Sequence, residues 1–105
     1  MNPKLYPAKP QDLRWIEKQG FLIILTPKNG LYHKLNKVAS LVWLHSNGTR
    51  TIEEIVKLIL LGYRVRQARL EKDIHSLLNY LKSKRLINFF KSSERFYPVI
   101  NGKRI

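Results

Sequence analysis

The chain has 105 residues, 44% of them hydrophobic, and no cysteine. This length predicts one domain with a modest core, while the lack of thiols excludes disulfides and thiolate metal sites. Twenty Lys and Arg against seven Asp and Glu give a net charge of +13, which favours an anionic partner unless it only keeps a lysine-rich surface in solution.

The longest uninterrupted apolar runs, FLIIL and LILL, are far too short to span a bilayer. The first ten residues contain three prolines and no apolar core typical of a secretion signal. We therefore expect a cytoplasmic protein that does not associate with a membrane.

Three short segments rich in β-branched and aromatic residues predict strands: LRWIEK (13–18), FLIILT (21–26) and LYHKL (31–35). Only Gln19-Gly20 separates the first two, which predicts a tight hairpin. Pro27-Lys28-Asn29-Gly30 predicts a second turn, because Asn-Gly supplies the positive φ of a type I′ connection. The expected sheet is an antiparallel meander.

Three segments with helical periodicity follow, from Asn36 to about His45, from Ile52 to about Leu61 and from Gln67 to about Lys84. Asn36 is placed to cap the first helix, and Thr51 with Glu54 forms a capping box at the second. LINFF (86–90) is either a further short strand or a cover on the core. The fold class is α+β: a three-stranded antiparallel sheet followed by a three-helix bundle, with a winged helix-turn-helix outline.

Groups that could perform chemistry do not converge in this sequence. His33, His45 and His75 fall in different elements without metal-ligand spacing, and no carboxylate pair or glycine-rich phosphate loop is visible. We expect no enzyme, no catalytic residue, no metal and no cofactor.

Binding has two candidate modes. In the first, Arg64, Arg66, Arg69 and Lys72 at the start of the third helix contact a DNA backbone, although these side chains could equally extend into water. In the second, the third strand lies at a sheet edge and an extended peptide adds to it. At such an edge, the charge of Lys34 would either oppose aggregation through strand pairing or attract an acidic peptide.

The order of the motifs favours the second mode. "GLYHKLNKVASLVWLHSNGTRTIEEIVKLILLGYRV" followed by "LEKDIHSLLNYLKSKRLI" resembles the PqqD family in its Gly-x-x-x-x-Leu-Asn entry to the first helix, its Gly-x-x-Thr-x-x-Glu-Ile entry to the second and its leucine-rich third helix. The resemblance covers residues 13–88, and it leaves an N-terminal arm (1–12) and a C-terminal extension (89–105) outside the recognition domain.

The resemblance implies a small winged-helix fold that binds the leader segment of a ribosomally synthesised precursor peptide by strand addition. Its partners would be that peptide and a modifying enzyme such as a radical SAM protein, a cyclase or a leader peptidase, with nucleic acid a partner only in the alternative of a DNA-binding winged helix. The leader-binding residues carried over are Leu31, Tyr32, His33, Lys34, Leu35, Asp73, Leu77 and Tyr80.

This sequence departs from the family pattern at two places. His33 stands where an aromatic is common, which leaves open whether it or Tyr32 faces inward, and Arg66 replaces the usual capping residue of the third helix. From this basic start we infer that Arg66, Arg69 and Lys72 hold acidic leader side chains. Leu77 is also at a position typical of core leucines, so Tyr80 is the better single candidate.

Overall fold

The computed structural model describes residues 1–26, 30–93, 99–100 and 103–104. The elements in these ranges are the strands β1 (Tyr6–Ala8), β2 (Arg14–Lys18), β3 (Phe21–Thr26), β4 (Leu31–Leu35), β5 (Asn88–Phe90), β6 (Val99–Ile100) and β7 (Lys103–Arg104), and the helices α1 (Lys37–His45), α2 (Ile52–Gly62) and α3 (Gln67–Ser83). None of the helices in these ranges has the length and apolarity needed to cross a bilayer.

The predicted meander is confirmed, since β2, β3 and β4 form an antiparallel sheet in that order. Gln19 and Gly20 connect β2 to β3 with φ of 52° and 82°, the left-handed values that a two-residue type I′ loop requires. Gly30, at φ 68°, precedes β4. The rest of the second predicted turn, residues 27–29, lies outside the described residues.

The helix starts are also as predicted. Asn36 Oδ1 accepts a hydrogen bond from the Ala39 amide at 2.9 Å. At α2 the Glu54 amide donates to Thr51 Oγ1 at 3.1 Å, and the Thr51 amide donates to Glu54 Oε1 at 2.8 Å. Because these bonds satisfy amides that have no partner within the helix, each start is defined locally by sequence.

The core lies between the sheet and the helices. It is made of fully or nearly buried aliphatic side chains and one tryptophan: Leu22, Ile24, Leu35, Val42, Trp43, Ile52, Ile55, Val56, Ile59, Leu70, Ile74, Leu78, Leu81, Leu86 and Ile87. Leu77, expected in the core, is only half-buried. It lies at the rim of the core, where α3 faces the start of α1.

The N-terminal arm is part of the folded structure. Its strand β1 pairs antiparallel with β5, so LINFF provides both a strand and, through Leu86 and Ile87, buried core. The arm also carries acceptors for α2, because the amides of Ile52 and Glu53 donate to arm carbonyls at 3.0 Å each. The limits of the recognition domain at residues 12 and 88 stay a prediction.

Lys9, in the arm, contacts the C-terminal end of α1. Its ammonium donates to the carbonyl of Trp43 at 2.7 Å and lies 5.4 Å and 5.5 Å from the ring centres of Trp15 and Trp43. Burial lowers the pKa of Lys9 from 10.5 to about 8. A cation at this helix end complements the negative end of the α1 dipole.

Candidate functional site

Strand β4 lies at the edge of the meander, with β3 as its neighbour. His33 and Leu35 are opposite Ile24 and Leu22, which are completely buried, so these two side chains face the helices. Tyr32 and Lys34 face the other side of the sheet. The structure thus answers the question that the sequence left open, because His33 and not Tyr32 is directed inward.

The backbone of β4 offers hydrogen-bonding groups to its open edge. The pair Lys18 and Phe21 closes the two-residue loop between β2 and β3, and the closing pair of such a loop is hydrogen-bonded. Bonded pairs alternate along antiparallel strands, so in β4 the groups of His33 point toward β3. The N–H and C=O groups of Tyr32 and Lys34 therefore point outward, away from β3.

A groove of about 400 Å³ separates the start of α1 from α3. Its walls are mostly aliphatic, with three polar side chains among them, and consist of Asn36, Val38, Ala39, Val42, Val65, Arg69, Leu70, Asp73, Ile74 and Leu77. Three of the residues expected at the site, Arg69, Asp73 and Leu77, line this groove. Such a shape accommodates apolar side chains and orients them by a few polar contacts.

His33 and Tyr80 join β4 to α3 beside the groove. His33 Nδ1 lies 3.0 Å from Tyr80 Oη, and the two rings meet edge to face with centres 6.0 Å apart. Tyr80 is exposed on the same stripe of α3 as Asp73 and Leu77, because residues three, four and seven apart share a helix face. The structure therefore brings the inward residue of the edge strand into contact with the predicted α3 surface.

The cations near the start of α3 are exposed. Arg69 Nε lies 3.9 Å from Asp73 Oδ2 at the groove, whereas Lys72 does not line the groove and is about 100° around the helix from Asp73. Arg66 occupies the N-cap position and makes no capping hydrogen bond through its side chain. The amides of the first turn of α3 thus have no side-chain acceptor at the N-cap.

The other expected residues occupy different surroundings. The Leu35 side chain is only 5% exposed and belongs to the core, while Leu31 is exposed at the start of β4. Among the residues with described side chains, no group of three His, Asp or Glu is placed to hold a metal ion.

Sequence reasoning did not find the contribution of Val38, Ala39 and Val65 to the groove. Val38 could have been suspected from its place on the apolar stripe of α1. Val65 precedes α3 and has no periodic neighbour, so only the packing of α3 against α1 reveals its role.

Two solved structures have a closely similar fold. One is "TbiB1 in Complex with the TbiA(beta) Leader Peptide", with a TM-score of 0.67 and 26% identity over 87% of this chain and 99% of that one. The other is "Lasso peptide synthetase B1 complexed with the leader peptide", with a TM-score of 0.70 and 18% identity over 79% of this chain and 98% of that one. The second similarity, at this low identity, concerns the fold alone.

A search of curated proteins found no match. The family model for PqqD, described as coenzyme PQQ synthesis protein D, matches residues 22–87, a range that runs from β3 to the end of the core after α3. This range is more than half of the chain and contains both β4 and the groove. The chain belongs to the PqqD family.

Proposed function

We propose that this protein binds the leader segment of a ribosomally synthesised precursor peptide as an added strand on β4. The observation that carries the proposal is an edge strand, with the backbone groups of Tyr32 and Lys34 directed outward, beside an apolar groove bounded by α3. Family membership and the 26%-identical structure with a bound leader peptide support it. Strand addition supplies affinity through the backbone, and the groove supplies selectivity through side chains.

The groove would receive those leader side chains that face the helices. Its aliphatic walls fit one or two apolar residues, and Asn36 and Asp73 would bond polar groups next to them. The Tyr80 ring, beside His33, would pack against the leader where it passes between β4 and α3. Leu31, Leu35 and Leu77 would contribute the apolar surroundings of this path.

The cations Arg66, Arg69 and Lys72 would hold acidic side chains of the leader. All three are exposed, so their attraction for an acidic peptide is screened by salt and acts mainly on association. Arg69, already 3.9 Å from Asp73, would be shared between that carboxylate and the peptide.

The chain itself would perform no catalytic step. It would deliver the leader, and with it the attached core peptide, to a modifying or processing enzyme; a radical SAM protein, a cyclase and a leader peptidase are the candidate classes. Holding the leader raises the effective concentration of the core at the enzyme, and this is the physical benefit of a separate binding protein.

A proline at position 34 tests the strand addition. Lys34→Pro removes an outward N–H and places a ring in the path of the peptide, while proline is tolerated at an edge strand whose N–H is not bonded to the sheet. With a synthetic leader of the precursor encoded beside this chain, we expect the Kd to rise at least roughly tenfold by isothermal titration calorimetry.

Two variants make this test specific. Lys34→Ala removes only the side chain and should change the Kd less than about threefold, and Glu17→Pro removes an outward N–H at the opposite edge, on β2, and should leave the Kd within about twofold. Thermal melts confirm that all three fold. Equal affinities of the Pro and Ala variants at position 34 would refute strand addition, and tight, salt-steep binding of random duplex DNA without leader binding would refute the proposed function.

A further inference from the structure

The sheet has an outer face that no described element covers. The register places on it the five apolar side chains Ile16, Phe21, Ile23, Leu25 and Tyr32. Ile16 is 53% exposed, Phe21 39% and Tyr32 68%, and Ile23 and Leu25 are half-buried. A contiguous apolar surface of this kind on a small domain indicates a binding surface, because scattered single residues would be ordinary but a cluster is not.

Cations border this outer sheet face. Arg14, Lys18 and Lys34 share it, and Lys34 Nζ lies 4.7 Å from the centre of the Phe21 ring. The one acidic residue in the three strands, Glu17, is on the opposite face, opposite buried Leu22. The outer sheet face of β2, β3 and β4 therefore combines apolar side chains with positive charge and has no carboxylate of its own.

The charge decides between the possible occupants. A second copy docked face to face would bring Arg14, Lys18 and Lys34 against the same three cations, and like charges across an interface oppose association. The leader peptide has its place at the β4 edge, in line with the sheet and not across it. A protein surface with an apolar centre bordered by Asp and Glu complements the face in both respects.

We propose that the outer sheet face is the docking surface for the modifying or processing enzyme. The enzyme would bind it with an apolar patch of its own that is bordered by Asp and Glu. The proposal rests on the proposed function, because it assigns a surface to the enzyme that receives the leader. It gives the two ligands separate places: the leader binds at the edge and groove, and the enzyme binds across the strands.

The test uses a modifying or processing enzyme encoded next to the gene of this protein. The enzyme is labelled with a fluorophore, and its Kd for the full chain is measured by fluorescence anisotropy. Ile16→Thr keeps a β-branched residue in β2 but removes apolar surface, and Arg14→Glu reverses one bordering charge. We expect each to raise the enzyme Kd at least roughly tenfold while the Kd for the leader peptide stays within about twofold.

Matched controls lie outside the face. Leu61→Gln removes an aliphatic side chain that is 85% exposed on α2, and Lys91→Glu makes a charge change like that at Arg14 after β5. Both should leave the enzyme Kd within about twofold. If Ile16→Thr and Arg14→Glu bind the enzyme like the controls, the docking proposal is wrong even when leader binding is intact.

Two further measurements identify a different occupant. Sedimentation equilibrium that shows micromolar self-association, lost in Ile16→Thr, would assign the face to a second copy. A second measurement is cosedimentation with vesicles of equal parts phosphatidylglycerol and phosphatidylcholine. If both variants lose vesicle binding but still bind the enzyme, the face is assigned to an anionic membrane. If the unaltered chain does not bind the leader peptide, the proposed function is wrong. The enzyme titration is a separate measurement, so the two failures can be told apart.

Discussion

The N-termini of α2 and α3 are built in opposite ways. At α2, Thr51 and Glu54 form a capping box, arm carbonyls accept from the amides of Ile52 and Glu53, and the first turn is acidic. At α3 the N-cap is Arg66, which has no side-chain capping bond, and the first turn contains no acidic residue. The first amides of α2 therefore have hydrogen-bond acceptors within the protein. The positive end of the α3 dipole instead lies next to further cations.

Under the proposed function, the start of α2 contributes to stability and the start of α3 contributes to leader binding. The α2 start connects the arm, the helix and β5 into one unit, so its loss should affect folding. The α3 start is less favourable than a capped one by about 1 kcal/mol, which an acidic ligand could offset. Changes at the two helix starts test this contrast.

Deleting residues 1–8 should lower the free energy of unfolding by about 3 kcal/mol or more, because the amides of Gly48, Ile52 and Glu53 lose their acceptors at about 1 kcal/mol each and the buried Pro7 is lost. Urea denaturation measures this, and hydrogen exchange should show faster exchange at Ile52 and Glu53. Lys4→Ala is the control, since it removes only an exposed ion pair with Glu53 and should cost less than about 0.5 kcal/mol. An unchanged urea midpoint in the deletion would contradict the structural role of the arm.

Thr51→Ala should lower the free energy of unfolding by about 1 kcal/mol, whereas Thr51→Ser should retain most of the cap. The Thr51 amide, by donating to Glu54, holds the pKa of Glu54 below its ordinary value. The Glu54 contribution is therefore fully present above the unfolded-state pKa and is lost as the pH falls through the folded-state pKa. Urea midpoints at pH 7 and pH 3.5 should differ less in Glu54→Gln, whose side chain does not titrate, than in the unaltered chain; an equal difference would show that Glu54 does not contribute to this pH dependence.

Arg66→Asp should raise the free energy of unfolding by about 0.5–1 kcal/mol, because it supplies the missing cap and a favourable charge for the dipole. The same change should weaken binding of an acidic leader roughly fivefold at low salt and less at moderate salt. Lys91→Glu makes a similar charge change without capping a helix. If both variants weaken leader binding equally, the net charge of the protein acts on the leader and the start of α3 has no local role.

Most of the fold follows from local signals in the sequence. Gln19-Gly20 defines the first hairpin, the Thr51 capping box defines the start of α2, and the change from a period of two to a helical period after Leu35 defines the start of α1. Each signal lies within a short, continuous stretch of the chain, so it can be recognised without knowledge of tertiary packing. The elements β2 to β4 and α1 to α3 accordingly agree with the prediction.

The pairing of β1 with β5 could not be predicted in this way. Tyr6 and Phe90 are brought together only after the intervening chain has folded, and three-residue strands carry no periodic signal. The groove could not be predicted either, because Val65 and Val38 come to line the same groove only through the packing of α3 on α1. The sequence could name Tyr80 as a site residue through family resemblance, but its contact with His33 depends on the register of β4.

The alternation along β4 has a consequence for any peptide that binds there. A strand paired with Tyr32 and Lys34 would direct every second side chain into the groove and the others toward the outer sheet face. This protein would then contact one alternate set of leader side chains through its groove. The enzyme docked on the outer sheet face would contact the other set. A shift of one position would exchange the two sets, so the pairing register would matter more for a productive leader than its overall affinity.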